Sequence, residues 1–471
     1  MKRLFIVFLF NALLFEHAVA SDKIYSSSSQ GNQHLALIHF SQHSLQPNKK
    51  TEVKPKENVT KPSSKQKKSS WGNEIVYTKR SNNAVRSGAG AFFPVVATVP
   101  ENMPLKVMDR GEKWLKVQLP DKKEGWIAEN CLVDRPTDAN ASKRLASSWS
   151  GGKASRAGVA AAVKGFAGKF GKTNSGNVNA VFEYAQKGFT LSEYTSFNSP
   201  ISRAGSTNRG KFTLGSAGLS SGAYDVRFAE QQIGAGIAAR IIATKGLYND
   251  RALHQYLNLI CTSIAMNSES YDVDFTVYIL NDNLINAFAL PGGYIFVTTG
   301  LIKACQDEAE LATVIAHEMG HVILRHGLQE LSKRIAKIRA EILFDELDAE
   351  FEDERDEEEK EMEAELDNIA EEAYERCIGR RLMQYEFEAD KAGAVLSANA
   401  GYDPTAIVRM LRTVSGIQAS QPKPESLDSE YFNTNEYKLR ISGVESFISV
   451  GYNSSGATLR DRFNSRTSKL R

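Results

Sequence analysis

The chain has 471 residues, of which 42% are hydrophobic and 24% charged, and its formal net charge is +2. This length predicts two or three folded units, and the composition is typical of a soluble globular protein. The net charge is too small to indicate a nucleic-acid-binding protein, so we expect no nucleic-acid partner.

The first twenty residues have the features of a secretory signal. Lys2 and Arg3 precede an apolar run over residues 4–15, and Ala-Val-Ala at 18–20 is a small-residue cleavage site. The alternative is an uncleaved membrane anchor, but the run is shorter than the ~20 residues that span a bilayer. We therefore expect cleavage after Ala20, export to the periplasm, and a mature chain without a transmembrane helix.

Residues 21–70 are rich in Ser, Lys, Gln and Asn and contain few large apolar residues. Such a segment cannot bury enough apolar surface to fold, so we predict a disordered basic linker.

Short alternating segments broken by turns follow over residues 71–135. They lie at 93–99, 105–108, 114–119 and 125–127 and predict a small β-barrel. The segments at 84–88 and 124–127 resemble the bacterial SH3-like domain. That resemblance implies binding of cell-wall peptide or proline-rich segments, and Trp114 and Trp126 are predicted either to line an aromatic groove or to pack in the barrel core.

Residues 136–225 are dominated by Gly, Ala and Ser. We interpret them as a connector with one docked helix over 157–170. The four cysteines, Cys131, Cys261, Cys305 and Cys377, contain no CxxC spacing, which argues against a cysteine metal site. They predict buried thiols or one disulfide bridge.

The region 226–450 alternates between helical and strand patterns. Apolar residues at helical spacing predict two helices before residue 261, and strands are predicted at 273–279, 287–289 and 294–297. Pro291-Gly292-Gly293 predicts a hairpin turn between the last two strands. We expect an α+β multidomain protein: a small SH3-like barrel, then a mainly helical zincin peptidase domain with a small β-sheet, then a polar tail over 451–471.

The segment His317-Glu318-Met319-Gly320-His321 indicates a metal site. Residues four apart lie on one face of a helix, so both imidazoles can reach one ion with bonds of about 2.0–2.1 Å. Glu318 follows the first histidine and is positioned to act on the attacking water. A chance His-Glu-x-x-His is expected in only about 1% of chains with this few histidines.

A third ligand is expected from another helix. His254 lies in an early helix, and His326, five residues after His321, is about 140° away round an ideal helix and is predicted to point elsewhere. The segment 386–390 offers Glu386 and Asp390 one turn apart, so that one can bind the metal while the other fixes a ligand imidazole. Glu388 points to a different face and is the poorer candidate.

Further motifs accompany this site: residues 286–293, Thr299-Gly300-Leu301-Ile302, residues 308–312 and residues 401–404. Together with the histidine motif they resemble the gluzincin metallopeptidases of HtpX, the CAAX prenyl protease and the periplasmic β-barrel assembly-enhancing protease. The resemblance implies one Zn²⁺ per chain, with His317, His321 and Glu386 as ligands, Glu318 as the catalytic base and Asp390 supporting a ligand histidine.

The chain departs from that family in two places. Leu382-Met383 replace the usual Ser-Arg before the glutamate, and Thr434-Asn435 replace the usual His-Pro before Arg440-Ile441. Since a neutral hydroxyl is a poor zinc ligand, we predict an open metal position. Tyr437 and Arg440 are the candidates for stabilising the oxyanion, with pairing to an acidic neighbour as the alternative for Arg440.

The acidic run 345–376 keeps an apolar stripe and predicts an amphipathic helix beside the active-site helix, with a calcium or partner site as the lesser alternative. The strand Ala287-Phe288-Ala289-Leu290 is the candidate edge for an extended substrate. The sequence thus predicts an exported zinc endopeptidase that cleaves unfolded or misassembled envelope proteins. The alternative is a zinc-binding chaperone or cell-wall-binding scaffold with little proteolysis.

Overall fold

The computed structural model describes residues 75–80, 82–148, 180–185, 189–204, 213–219, 228–327, 383–420, 434–452 and 456–470. The predicted signal (1–20), the linker (21–70), the helix at 157–170 and the acidic run (345–376) lie outside these residues. Within the described ranges, no helix has the length and apolar character required to cross a membrane.

The N-terminal part is an antiparallel barrel of short strands in the order β3-β2-β6-β5-β4-β1-β7. Alternate side chains point inward, and Val85, Leu105, Val117 and Ile127 are fully buried. The strands are β1 (Ile75–Thr78), β2 (Asn83–Arg86), β3 (Val95–Val99), β4 (Pro104–Arg110), β5 (Trp114–Gln118), β6 (Glu124–Ala128) and β7 (Leu132–Val133). The predicted barrel is confirmed.

The second part is mainly helical and contains a three-stranded sheet in the order β8-β10-β9. β8 (Thr276–Leu280) is parallel to β10 (Tyr294–Thr298), which pairs antiparallel with β9 (Ala287–Leu290). The predicted hairpin turn is present, and Gly292 and Gly293 have φ values of 84° and 96°, which a residue with a Cβ rarely adopts. The α+β prediction is confirmed.

The described helices run from the end of the barrel to the C-terminal residues. They are α1 (Ala139–Ser148), α2 (Ala180–Ala185), α3 (Leu191–Ala204), α4 (Phe228–Lys245), α5 (Arg251–Met266), α6 (Thr299–Ala304), α7 (Glu308–Ile323), α8 (Met383–Ala400), α9 (Ala406–Ser420), α10 (Thr434–Gly451) and α11 (Arg460–Thr467).

α7 carries the histidine motif, and α8 packs along it at close range. Asp307 caps the N-terminus of α7 by accepting a hydrogen bond from the Glu310 N–H at 3.0 Å. A Cβ added at Gly320 would lie 2.8 Å from the Cβ of Ala392, and one at Gly393 would lie 3.1 Å from the backbone nitrogen of His317. These two glycines therefore let the helices approach closely enough to share one site.

Two segments differ from their predictions. The predicted connector contributes Phe197, Ile201 and Leu214 to the core around α7, and α3 packs on α5. The predicted polar tail contains α11, whose Phe463 is fully buried in the same core. Both segments are polar on average, so their composition concealed the few apolar side chains that dock them.

The barrel packs directly on the peptidase region. Arg80 forms an ion pair with Asp272, and the Asn130 side-chain amide donates to the same carboxylate at 2.6 Å. Trp114 is 3% exposed, and its ring centroid lies 5.9 Å from that of Tyr271. Of the two predictions for Trp114, interior packing is therefore the one that the structure supports, while Trp126 is half-buried.

The described cysteines, Cys131, Cys261 and Cys305, are buried thiols. Among the described residues this agrees with the first of the two alternatives, buried structural thiols. Cys377 lies outside the described residues.

Candidate metal centre

The two histidines of the motif meet on one face of α7. Their Nε2 atoms are 3.1 Å apart, and both side chains are largely buried. This is the arrangement that the four-residue spacing predicts.

Glu386, in the first turn of α8, completes a group of three donors. Its Oε2 is 3.5 Å from the His317 Nε2, and its Oε1 is 3.4 Å from the His321 Nε2. An ion with tetrahedral bonds of about 2.0–2.1 Å places neighbouring ligand atoms about 3.3–3.4 Å apart. The three observed separations match the edges of such a tetrahedron, so these residues could hold a metal ion.

Asp390 and Arg440 form the next layer of the site. The His317 Nδ1 is 3.0 Å from Asp390 Oδ1, which directs the other ring nitrogen towards Glu386. Arg440, on α10, donates through Nε and Nη2 to the two oxygens of Asp390 at 2.8 Å each, and its Nη1 forms an ion pair with Glu386 Oε2 at 2.9 Å. One guanidinium thus holds both carboxylates in place.

This arrangement differs from the prediction for Arg440. The side chain was a candidate for the oxyanion, but all three of its nitrogens are directed at Asp390 and Glu386. Arg440 is 8% exposed, and its guanidinium carbon lies 5.6 Å from the ring centroid of Tyr437. The alternative for Arg440, pairing with an acidic neighbour, is the one that the structure supports. The sequence could not identify these partners because it placed Arg440 only along the chain and not against α8.

The charges of the site fix its protonation. Burial alone would raise the pKa of Glu386, but the Arg440 guanidinium and the two imidazoles hold it well below its usual range. The pKa of Asp390 is lowered in the same way, against burial, by Arg440 and His317. Burial lowers the pKa of His317, but Asp390 and Glu386 outweigh it and raise the value to about 10 when no metal is bound. The surroundings of His317 therefore favour a positive charge on its ring when no metal is bound.

Glu318 lies on α7 between the two histidines and is buried. The other predicted candidates lie at the edges of this region. β9 is an edge strand of the described sheet and packs against α7, and α10 begins at Thr434.

His326 differs from its prediction. Its Nδ1 is 2.9 Å from the Nδ1 of His321, and its Nε2 is 3.1 Å from Glu388. The ideal-helix angle failed because α7 ends at Ile323 and Arg325 has a left-handed φ of 58°, which turns the chain back. Glu388, rated the poorer candidate, is likewise connected to the site through this histidine.

His254 has a structural environment away from the metal site. Its Nδ1–H donates to the Asp250 carbonyl at 3.0 Å, and its Nε2 accepts from the Ile279 N–H at 3.0 Å. Burial lowers the pKa of His254 to about 4, so the ring is neutral and joins α5 to β8.

Comparison with known proteins agrees with this geometry. Residues 249–447 match peptidase family M48, and residues 81–133 match the bacterial SH3 domain. The mitochondrial metalloendopeptidase OMA1 of Arabidopsis thaliana is 32% identical over 140 residues, which are 30% of this chain and 26% of the relative.

Two further relatives are beta-barrel assembly-enhancing proteases. The protein of Yersinia pestis is 27% identical over 212 residues, which cover 45% of this chain and 42% of the relative. The protein of Escherichia coli K12 is 32% identical over 114 residues, which cover 24% of this chain and 23% of the relative. The chain thus spans less than half the length of these curated relatives. Residues 249–447 are thus similar to the metallopeptidases of family M48, and the region ahead of them is similar to the bacterial SH3 domain.

Proposed function

We propose that this chain is a zinc-dependent endopeptidase that hydrolyses peptide bonds of unfolded or misassembled envelope proteins. The observation that carries the proposal is the convergence of His317, His321 and Glu386 at tetrahedral separations. Two imidazole nitrogens and one carboxylate oxygen are the donor set of catalytic zinc, which keeps one position open. A bound zinc ion would polarise the scissile carbonyl and lower the pKa of water towards about 7.

Glu318 is the proposed general base. It follows His317 directly on α7, is buried, and is not one of the three donors. It takes the proton of the attacking water and delivers it to the leaving amine. Asp390 keeps the proton of His317 on Nδ1, and Arg440 holds Glu386 ionised and oriented.

The substrate is proposed to bind in an extended conformation beside β9, where the backbone of Ala287–Leu290 can pair with it. This position is supported by the edge location of β9 and its packing against α7. Tyr437 remains the candidate for an oxyanion contact, because Arg440 is committed to two carboxylates. Recognition by backbone pairing suits unfolded chains, since it does not depend on one particular sequence.

The proposed location is the periplasm. It is supported by the signal-like residues 1–20 and by the names of the bacterial relatives. The SH3 domain is proposed to bind peptide through a surface other than that of Trp114, because Trp114 packs on Tyr271.

The test separates metal binding from proteolysis. Glu318→Gln is expected to keep wild-type zinc content while lowering kcat on an unfolded protein about 100- to 10,000-fold, because only proton transfer is lost. Glu386→Ala is expected to lower zinc content, and activity as a consequence. Glu445→Gln, an exposed carboxylate on α10, is the matched control and is expected to match the wild type in both measurements. Equal loss of zinc and activity in Glu318→Gln would place Glu318 among the ligands and contradict the assignment.

The same experiment tests the alternative of a zinc-binding chaperone. A chaperone would suppress aggregation of the unfolded protein equally well with Gln at position 318. An endopeptidase produces fragments that a chelator abolishes and added zinc restores.

A further inference from the structure

The second ligand histidine is supported differently from the first. The Nδ1 of His317 faces a carboxylate directly, at 3.0 Å from Asp390. The Nδ1 of His321 instead faces the Nδ1 of another histidine, His326, at 2.9 Å. His321 and His326 are only 2% and 1% exposed, so water does not compete for this contact.

His326 is itself held on two sides. Its Nε2 lies 3.1 Å from Glu388 Oε2, and the other oxygen of Glu388 accepts from the Gln384 amide at 2.9 Å. The imidazole stacks on Tyr385 with ring centroids 4.3 Å apart and an interplanar angle of 8°. The position and the plane of His326 are therefore fixed by Glu388 and Tyr385 of α8, and Gln384 orients the Glu388 carboxylate.

For neutral rings, these contacts determine where the ring protons lie. A carboxylate only accepts hydrogen bonds, so the Nε2 of His326 carries a proton and donates it to Glu388. The Nδ1 of a neutral His326 is then an acceptor, and the Nδ1–H of His321 donates to it. This leaves a lone pair on the His321 Nε2, the atom that faces Glu386. With its proton on Nε2, His321 could not bind a metal there.

We propose that His326 and Glu388 form a positioning pair that fixes the tautomer and the ring orientation of His321. This inference rests on the proposed function, in which His321 is a zinc ligand. His326 is not a ligand itself, because it lies on the opposite ring nitrogen from the metal position. Asp390 thus supports His317 directly, whereas Glu388 supports His321 through the imidazole of His326.

The experiment measures the zinc dissociation constant of the full chain by competition with a chromophoric chelator. His326→Phe keeps the ring volume and the stacking on Tyr385 but cannot accept from His321, and it is expected to weaken zinc binding about 10- to 100-fold. His326→Gln keeps an acceptor and is expected to recover part of that loss. Glu388→Leu removes the carboxylate and is expected to weaken binding without altering the buried ring itself.

His254→Gln is the matched control, because it changes a buried histidine that has no contact with the ligands. It is expected to bind zinc as the wild type does. Thermal unfolding with and without chelator separates positioning from packing: the zinc-induced rise in Tm should shrink in His326→Phe and stay unchanged in His254→Gln.

Wild-type zinc affinity in His326→Phe, or equal affinities in the Phe and Gln variants, would overturn the inference. His321→Ala distinguishes this failure from that of the proposed function. If His321→Ala also binds zinc like the wild type, His321 is not a ligand and both proposals fail. If only His321→Ala loses zinc, the proposed function holds and the positioning pair is wrong.

Discussion

Helix α7 has a buried carboxylate network at its N-terminus and carries the candidate metal centre towards its C-terminus. At the N-terminal end, Glu308 is fully buried and accepts hydrogen bonds from Tyr256 at 2.8 Å and from Tyr402 at 2.7 Å. Arg462 of α11 pairs with both of its oxygens through Nε and Nη2. Each oxygen of Glu308 therefore has two donors supplied by the protein.

At the metal centre the same kind of pair is present, but its surroundings differ. Arg440 of α10 binds Asp390 and Glu386, and two imidazole nitrogens face the Glu386 oxygens at 3.4–3.5 Å. Nitrogens at that distance fit a shared ion better than direct hydrogen bonds. A buried arginine–carboxylate pair is by itself structural, and the two imidazoles beside Glu386 make the second pair part of a candidate metal site.

The largest effect is expected at the structural end. Arg462→Met leaves the Glu308 charge buried without its cation and is expected to lower the free energy of unfolding by about 3–5 kcal/mol, with or without zinc. Denaturant titration measures this loss. Arg466→Met, an exposed arginine on the same helix, is the control and should change stability by about 1 kcal/mol or less. A loss that zinc repairs would show that this end of α7 is coupled to the metal.

A smaller net effect is expected at the metal centre. Arg440→Met should destabilise the zinc-free protein by about 3–5 kcal/mol for the same reason. Excess zinc should recover part of that loss, because the dication supplies positive charge beside Glu386. Lys438→Met, exposed on the same helix, should behave as the wild type. Equal losses in the free energy of unfolding with and without zinc would contradict this prediction. Arg440 would then have only a structural role, as Arg462 does.

The effect that is smallest for any single step, one pH unit, concerns His254, a buried histidine whose two nitrogens bond only to the backbone. Its pKa is about 4 in the folded chain, below the ordinary value of 6.5. The unfolded chain therefore binds more protons between these pH values, so the free energy of unfolding falls as the pH is lowered through this window. The expected slope is about 1.4 kcal/mol per pH unit.

Denaturant titrations of the zinc-free protein between pH 6.5 and 4 measure this slope. His254→Gln should remove it, which would leave only the contributions of other groups. An unchanged pH dependence in that variant would mean that His254 titrates normally, against its contacts with Asp250 and Ile279.

Much of the site followed from residue types at short spacing. Histidines four apart on one helix must share a face, so His317 and His321 could be paired without knowing the fold. Alternation in the barrel strands and the Pro291-Gly292-Gly293 turn are equally local, and both were predicted correctly. The environment of His326 was not predicted correctly, because one left-handed residue after the helix end, Arg325, changes the direction of the chain beyond it.

The sequence by itself thus determined the barrel, the helix–sheet composition of the second domain and the metal-binding motif on α7. Only the tertiary structure decided which side chains support that motif. Arg440, Glu388 and Arg462 lie 54, 62 and 154 residues from Glu386, His326 and Glu308, respectively. Their contacts depend on how whole helices pack, and a single charged residue leaves no periodic signal that would reveal its partner. Two glycines set the packing of α7 on α8, and that packing brings the two halves of the site together.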